Sequence, residues 1–333
     1  MRLAVLMGGQ SGEHEVSLRS GQAVVEAAAA LGWACLPIVF DRAGGATSQG
    51  ATRPVGATLA ALEAWRPDAA FIAMHGPYGE DGRVQGALEL LGIPYQGSGV
   101  LASALGLDKI RTKAALRAVG VPVAAERVVA RGAACDPEAL VAALGLPLVL
   151  KTPQSGSSVG VEIVREREAL GGRIAALLAD AERILVEAYV AGREFTAPVL
   201  ERDGQPVALP IVEIRPKEAA FFDYGAKYTP GASDELCPAP IPPALEAALR
   251  ALGLAAHAAI GARGYSRTDI LVGADGPVVL EVNTLPGLTA ESLLPKSARA
   301  AGLTFPELIA TLVDNACAAV QVSHAVQAPR TAQ

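Results

Sequence analysis

Residues 267–283 constrain this chain most, because they close only as one hairpin, and a hairpin's register decides which side chains share a face. Arg267 to Val272 is a strand-like run, Gly273-Ala274-Asp275-Gly276 carries the Asp-Gly turn signal, and Gly276 to Asn283 returns as a second strand. Folding about Asp275 predicts Asp269 opposite Glu281, give or take one residue of register. Side chains alternate along a strand, so Glu281 and Asn283 point the same way. Two carboxylates and an amide oxygen suit a hard cation such as magnesium, which keeps few protein ligands and completes its shell with phosphates. Arg267 shares the face of Asp269, where a fixed cation can neutralise a phosphate or an oxyanion. From this segment alone, a solvated hairpin rim reads equally well.

A second segment favours the phosphate reading. Leu146 to Leu150 is an apolar run that ends in Lys151, as a buried strand would deliver a charge into a cleft. Gln154-Ser155-Gly156-Ser157-Ser158-Val159-Gly160 follows, and then a further strand, 161–164. Small hydroxyl and glycine residues let backbone N–H groups approach phosphate oxygens. The order G-x-x-x-x-G-K-[ST] is absent and no helix opens afterwards, so this is a flap between two strands rather than a Walker loop. An ordinary Gly/Ser hairpin loop is the alternative. A nucleoside triphosphate with magnesium explains both segments together.

The first strand, 3–7, runs into Gly8-Gly9-Gln10-Ser11-Gly12 and then a helix, with Asp41 ending the second strand. A dinucleotide site has this outline, but G-x-G-x-x-G cannot be laid on these glycines. Glu13 and Glu15 stand at the helix N-terminus, where they would repel a pyrophosphate. A carboxylate here is better placed to hold a ligand's ammonium group, or simply to cap the helix.

Composition excludes several classes of function. The net charge of −6 gives no basic surface for nucleic acid or an anionic membrane, and no apolar run reaches membrane-span length. Four scattered cysteines without metal spacing suit a reducing cytoplasm. At 333 residues the chain has room for two or three domains.

Strands and helices alternate at first: strand 3–7, helix 15–31, strand 34–40, helix 58–65, strand 69–74, helix 85–91 and a short strand, 93–95. This is an open parallel α/β pattern. Helices 99–106 and 108–119 lead to Val121-Pro122-Val123, read as a domain boundary. Strand 126–130, helix 136–144, strands 146–151 and 161–164, helix 166–179 and strand 183–187 form an α+β unit. The remainder is strand-rich, with helices near 243–262, 290–301 and 304–320. The expected domains are 1–107, 108–187 and 188–325, followed by a tail, 326–333.

Gly8-Gly9-Gln10-Ser11-Gly12-Glu13-His14-Glu15-Val16-Ser17, His75-Gly76-Pro77-Tyr78-Gly79-Glu80-Asp81-Gly82 and Glu281-Val282-Asn283-Thr284-Leu285-Pro286-Gly287 resemble the D-alanine–D-alanine ligase family of the ATP-grasp superfamily. The likeness runs from about residue 3 to 320 with the motifs in family order. It implies an N-terminal α/β domain and two α+β domains that clamp ATP, with ATP-dependent joining of two D-alanines through an acyl phosphate, for peptidoglycan precursor synthesis. It also implies magnesium at Asp269, Glu281 and Asn283, two ions per site with manganese as a substitute, and a homodimer.

Carried over residue by residue, the resemblance assigns Lys109 and Lys151 to the α- and β-phosphates, Lys227 to the γ-phosphate, Glu187 to adenine and Glu194 to the ribose. Ser158 and Val190 join the nucleotide contacts. Glu13 would hold the ammonium of the first D-alanine, linked through Ser157 to Tyr228. Arg267 and the Gly287 backbone N–H would stabilise the tetrahedral intermediate, Ser292 and Leu293 would bind the second D-alanine's carboxylate, and His75 would lie beside the reacting groups. Ala188 departs from relatives, which often carry lysine there. Tyrosine at 228 points to D-alanyl-D-alanine rather than to a depsipeptide with D-lactate. A catalytically silent nucleotide-binding regulator is disfavoured, since no charged site position is missing.

Other residues read more simply. His257 is structural within an alanine-rich helix, His14 a surface loop residue and His324 a tail residue. Glu80 and Asp81 order their loop, and 221–231 suits a lid that excludes water.

Overall fold

The computed structural model describes residues 1–154, 156, 160–217 and 232–327, with side chains up to residue 318. The chain opens with β1 (Arg2–Gly8), α1 (His14–Ala30), β2 (Ala34–Phe40), β3 (Gly45–Ser48), β4 (Ala51–Pro54), α2 (Val55–Trp65), β5 (Ala69–Ile72) and α3 (Arg83–Leu90). The sheet order is β4-β3-β2-β1-β5, with β2, β1 and β5 parallel. Leu3 to Leu6 and Ala69 to Ile72 are buried throughout, as continuous apolar runs in a two-sided parallel sheet must be.

Two expectations fail in this layer. β3 and β4 extend the sheet as an antiparallel hairpin that the sequence reading missed, so the sheet is mixed. Gly-Ala-Thr-Ser and Ala-Thr-Arg-Pro carry almost no branched or aromatic apolar residues to mark them as strands. Residues 93–95 are no strand but a single bridge, Ala70 to Tyr95, with Ala70 N–H donating to the Pro94 carbonyl at 2.7 Å. Pro94 has no N–H with which to extend the ladder.

Helices α4 (Val100–Leu107) and α5 (Lys109–Ala118) follow. Asp108 starts α5 by accepting the N–H groups of Ile110 and Arg111 at 3.0 and 3.1 Å. Next come β6 (Glu126–Ala130), α6 (Pro137–Leu144), β7 (Leu148–Lys151), β8 (Val161–Val164), α7 (Arg167–Asp180) and β9 (Arg183–Ala188). Their strands form an antiparallel sheet of order β6-β9-β7-β8 around Leu148, Leu150, Leu170, Ile184 and Val186.

The remaining elements are β10 (Gly192–Arg202), β11 (Gln205–Ala208), β12 (Val212–Pro216), β13 (Ser233–Leu236), α8 (Pro243–Ala259), β14 (Tyr265–Gly273), β15 (Gly276–Asn283), α9 (Leu293–Ala300) and α10 (Phe305–Gln327). The sheet order is β13-β12-β10-β14-β15, with β11 paired to β10. Val121 to Val123 is tied down rather than a free linker: Val123 bridges Val279, whose N–H donates to the Pro122 carbonyl at 2.8 Å. α10 runs to Gln327, beyond the expected start of the tail, and packs back on α1 and β5. Leu308, Ile309, Leu312 and Val313 thereby share one core with β1. No helix among the described residues is long and apolar enough to cross a membrane.

Candidate active site

The 265–283 hairpin folds as its sequence requires, with Gly273 paired to Gly276 around Ala274-Asp275. A strict ladder from that turn would set Asp269 opposite Leu280. A bulge between Asp269 and Ile270 shifts the register, so that Asp269 pairs with Glu281 and Arg267 with Asn283. Directly opposed residues share a face, so the irregularity brings both carboxylates to one side. It supplies the one residue of register left open by the sequence.

Asp269 is buried and saturated. Arg267 donates to both of its oxygens at 2.9 Å, Thr196 Oγ1 donates to Oδ1 at 2.7 Å and Asn283 Nδ2 donates to Oδ2 at 3.2 Å. Glu281 lies 3.1 Å from Lys109 Nζ. Each carboxylate thus already faces a fixed cation, which leaves the wall close to neutral.

Asp269 and Glu281 line a cavity of about 510 Å³, shared with Lys109, Lys151, Glu187, Ala188, Val190 and Glu194. A cavity of that size fits a nucleotide-sized ligand. β7 carries Lys151 to its C-terminal end and the neighbouring β9 carries Glu187, so that Nζ meets Glu187 Oε2 at 2.9 Å. Burial pushes the Glu187 carboxyl up, but Lys151 and Lys113 outweigh it and hold the group below the usual carboxylate range.

A second cluster forms around Glu13. This residue is the N-cap of α1, yet its side chain makes no capping hydrogen bond. Instead it faces two glycines. A Cβ built on Gly156 would meet Glu13 Oε2 at 2.8 Å, and one on Gly76 at 3.3 Å. Gly8, at φ +85°, turns the chain into this helix, and any Cβ there would strike the Phe40 carbonyl at 2.2 Å.

His75 is buried at 6% exposure, with Nδ1 3.5 Å from Glu80 Oε1 and Nε2 3.2 Å from Ser20 Oγ. Burial works against its protonation, but the Glu80 hydrogen bond and charge, helped by Glu13, raise the imidazole pKa above its ordinary value. Glu80 is itself raised, chiefly by burial, and the Glu13 charge adds to the rise. Ser20 Oγ also accepts the Leu288 N–H at 3.4 Å, which ties His75 to the turn after β15. A small cavity lined by Glu80, Gly156, Lys109, Glu281 and Asn283 connects the two clusters.

The carboxylate-binding assignment meets a different geometry. Ser292 Oγ accepts the Thr289 N–H at 3.0 Å and lies 2.9 Å from Thr289 Oγ1, while the Ser292 N–H donates to the Thr289 carbonyl at 2.9 Å. The Leu293 side chain is buried among Val212 and Ile214 at the start of α9, which begins later than the expected residue 290. Only the backbone of Leu293 remains for a ligand. Gly287 does lie beside this turn, since a Cβ on it would meet Ser292 Oγ at 2.9 Å. Ser157, Ser158, Lys227, Tyr228 and the 221–231 segment fall outside the described residues.

His14 corrects the sequence reading, being buried in α1 with Nδ1 2.7 Å from the Gly9 carbonyl. His257 is buried as expected, with Nδ1 2.8 Å from Ser266 Oγ. His324 lies in α10 rather than in a tail. Asp81 does order its loop, accepting the N–H groups of Tyr78 and Arg83. Glu80, given only that role from sequence, also reaches His75. Lys113 and Thr196 were missed altogether.

The family description D-ala D-ala ligase C-terminus matches residues 115–314, and D-ala D-ala ligase N-terminus matches residues 47–98. The chain is 48% identical over 313 residues to a D-alanine–D-alanine ligase of Desulforudis audaxviator, a match covering 94% of this chain and 97% of that one. The structure of the D-alanine-D-alanine ligase from Coxiella burnetii superimposes with a TM-score of 0.83 at 27% identity, covering 98% of this chain and 96% of that one. The crystal structure of the Bacillus anthracis D-alanine–D-alanine ligase complexed with ATP gives a TM-score of 0.79 at 31% identity, covering 97% and 99%. Sequence and fold agree from end to end, and the chain therefore belongs to the D-alanine–D-alanine ligase family and has its ATP-grasp fold.

Proposed function

We propose that the protein joins two molecules of D-alanine to D-alanyl-D-alanine with cleavage of ATP to ADP and phosphate, in the supply of peptidoglycan precursors. The observation that carries this reading is the convergence of the acidic pair Asp269 and Glu281 with Lys109 and Lys151 on one cavity, connected to the Glu13–His75–Glu80 cluster. One cavity is equipped for a metal-bound polyphosphate, and the cluster for a small ammonium-bearing acid.

The donor set fits a hard cation, with two carboxylates from paired strands and Asn283 beside them. Asp269, Glu281 and Asn283 would hold magnesium, or manganese in its place, with the metal taking over from the Arg267 and Asn283 donors that now occupy Asp269, and family likeness supports a second ion. When bound, the metal neutralises phosphate charge. Lys109 and Lys151 bind the phosphates, and Glu187, Val190 and Glu194 the nucleoside. Glu13 holds the ammonium of the first D-alanine, whose carboxylate attacks the terminal phosphate to give an acyl phosphate. The amine of the second D-alanine attacks that carbonyl, and phosphate leaves. Arg267 and the Gly287 N–H stabilise the tetrahedral oxyanion. His75, whose protonated form Glu80 favours, lies beside the reacting groups. Ser157, Ser158, Lys227 and Tyr228 keep the roles implied by family likeness.

The same reading divides the chain at 1–107, 108–187 and 188–325, supported by three sheets within 2–72, 126–188 and 192–283. Four unpaired cysteines support a cytoplasmic location, and family likeness supports a homodimer. Incubation with ATP, magnesium and D-alanine should release phosphate and dipeptide in equal amounts. ATP binding without release would favour a silent regulator, and depsipeptide as the main product from mixed D-alanine and D-lactate would overturn the substrate assignment.

A further inference from the structure

Behind the wall of the large cavity lies a charge that the reaction does not use. Lys113 is fully buried, one turn after Lys109 on α5. Its Nζ lies 2.5 Å from Glu187 Oε1 and 3.4 Å from Glu126 Oε2. Arg117, a turn further on, pairs with Glu126. Glu126 and Glu187 are directly opposed across β6 and β9, where two like charges repel. Lys113 sits against both. Lys151 occupies the other oxygen of Glu187, at 2.9 Å.

The cluster therefore holds three cations, Lys113, Lys151 and Arg117, against two carboxylates. Of these five groups only Lys151 and Glu187 line the cavity. The surplus positive charge is presented where a phosphate would arrive. If Lys151 were the sole partner of Glu187, a phosphate could engage it only by leaving a buried carboxylate unpaired, and such a group resists the loss of its partner.

We propose that Lys113 is a positioning residue for the nucleotide: it anchors Glu187 through Oε1, so that Lys151 can transfer from Oε2 to a phosphate while Glu187 stays paired. This rests on the reading of the cavity as the ATP site. Burial presses the Lys113 pKa down, and the Glu187 and Glu126 carboxylates oppose that fall.

The test titrates the whole protein with magnesium-ATP in a calorimeter, without D-alanine, and then measures KM for each substrate. Lys113→Met should weaken ATP binding at least about tenfold and raise KM for ATP in step, leaving KM for D-alanine within about twofold. Lys113→Arg should restore part of the affinity. Lys113→Met with Glu126→Gln removes the cross-strand repulsion together with the cation. It should melt near the parent yet bind ATP as weakly as the single variant, and it decides the matter where the single variant fails to fold. Parental ATP affinity in either Met variant overturns the proposal, as does equal weakening of ATP and D-alanine. A parent protein that binds no ATP overturns the cavity's assignment instead, and the two failures are distinct.

Discussion

Glu13→Gln separates a substrate-binding carboxylate from a helix cap, because the two roles differ in size and in readout. The Glu13 side chain makes no hydrogen bond to the first turn of α1, so the capping loss is confined to its interaction with the helix dipole. That interaction is worth about 0.3–1 kcal/mol and would appear as a small drop in melting temperature. Truncating one partner of a buried ammonium–carboxylate pair costs about 2–5 kcal/mol, which corresponds to a rise of about 30-fold or more in the D-alanine requirement. KM for ATP should stay nearly constant, since Glu13 does not line the large cavity. A second signature follows from electrostatics. The Glu13 charge helps to raise the pKa of His75 by favouring imidazolium, and that of Glu80 by disfavouring its carboxylate. Removing the charge lowers both. Steady-state kinetics for each substrate, thermal denaturation, and an NMR titration of the His75 ring in parent and variant measure the substrate, capping and His75 effects. Equal weakening of ATP and D-alanine, or an unmoved His75 titration, would refute the assignment of Glu13 to the ammonium.

Glu281→Gln should fold normally but bind manganese at least about tenfold more weakly by electron spin resonance, with most turnover lost, because it removes one of two ligand charges. Gly79→Ala places a Cβ 2.7 Å from the Met74 carbonyl oxygen, a backbone group that cannot step aside. Thermal denaturation should show about 1–3 kcal/mol of lost stability. Glu187 has a depressed folded pKa, so its stabilisation is complete above the unfolded value of about 4.3 and is lost as pH falls through the lower folded value. Glu187→Gln should therefore flatten the acid limb of a melting-temperature profile, and an unchanged limb would contradict the linkage. Tyr228→Phe should improve relative use of D-lactate over D-alanine in a mixed-substrate product assay, and an unchanged product ratio would remove the tyrosine hydroxyl from substrate choice.

Legibility in this sequence followed the range of the interactions. The site hairpin was readable because an Asp-Gly turn sets its register locally, and only the bulge before Ile270 lay beyond sequence reasoning. β3 and β4 escaped because their pairing depends on lying beside β2, while their own residues carry little strand preference. His14 was misplaced because a histidine following glycines reads as a loop residue, whereas the Gly9 carbonyl waiting for its ring is a product of the fold. Lys113 is different, since its signal was local and went unused. Lys109, Thr112, Lys113 and Leu116 fall at i, i+3, i+4 and i+7, the spacing of one helix face, and the structure buries all four. Two lysines on the stripe that a helix turns inward can be accommodated only where carboxylates meet them. Glu281 meets Lys109, and Glu187 with Glu126 meets Lys113. A charged residue at an apolar phase of a helix therefore announces a buried ion pair before any partner is known, and here both pairs lead to the walls of the same cavity.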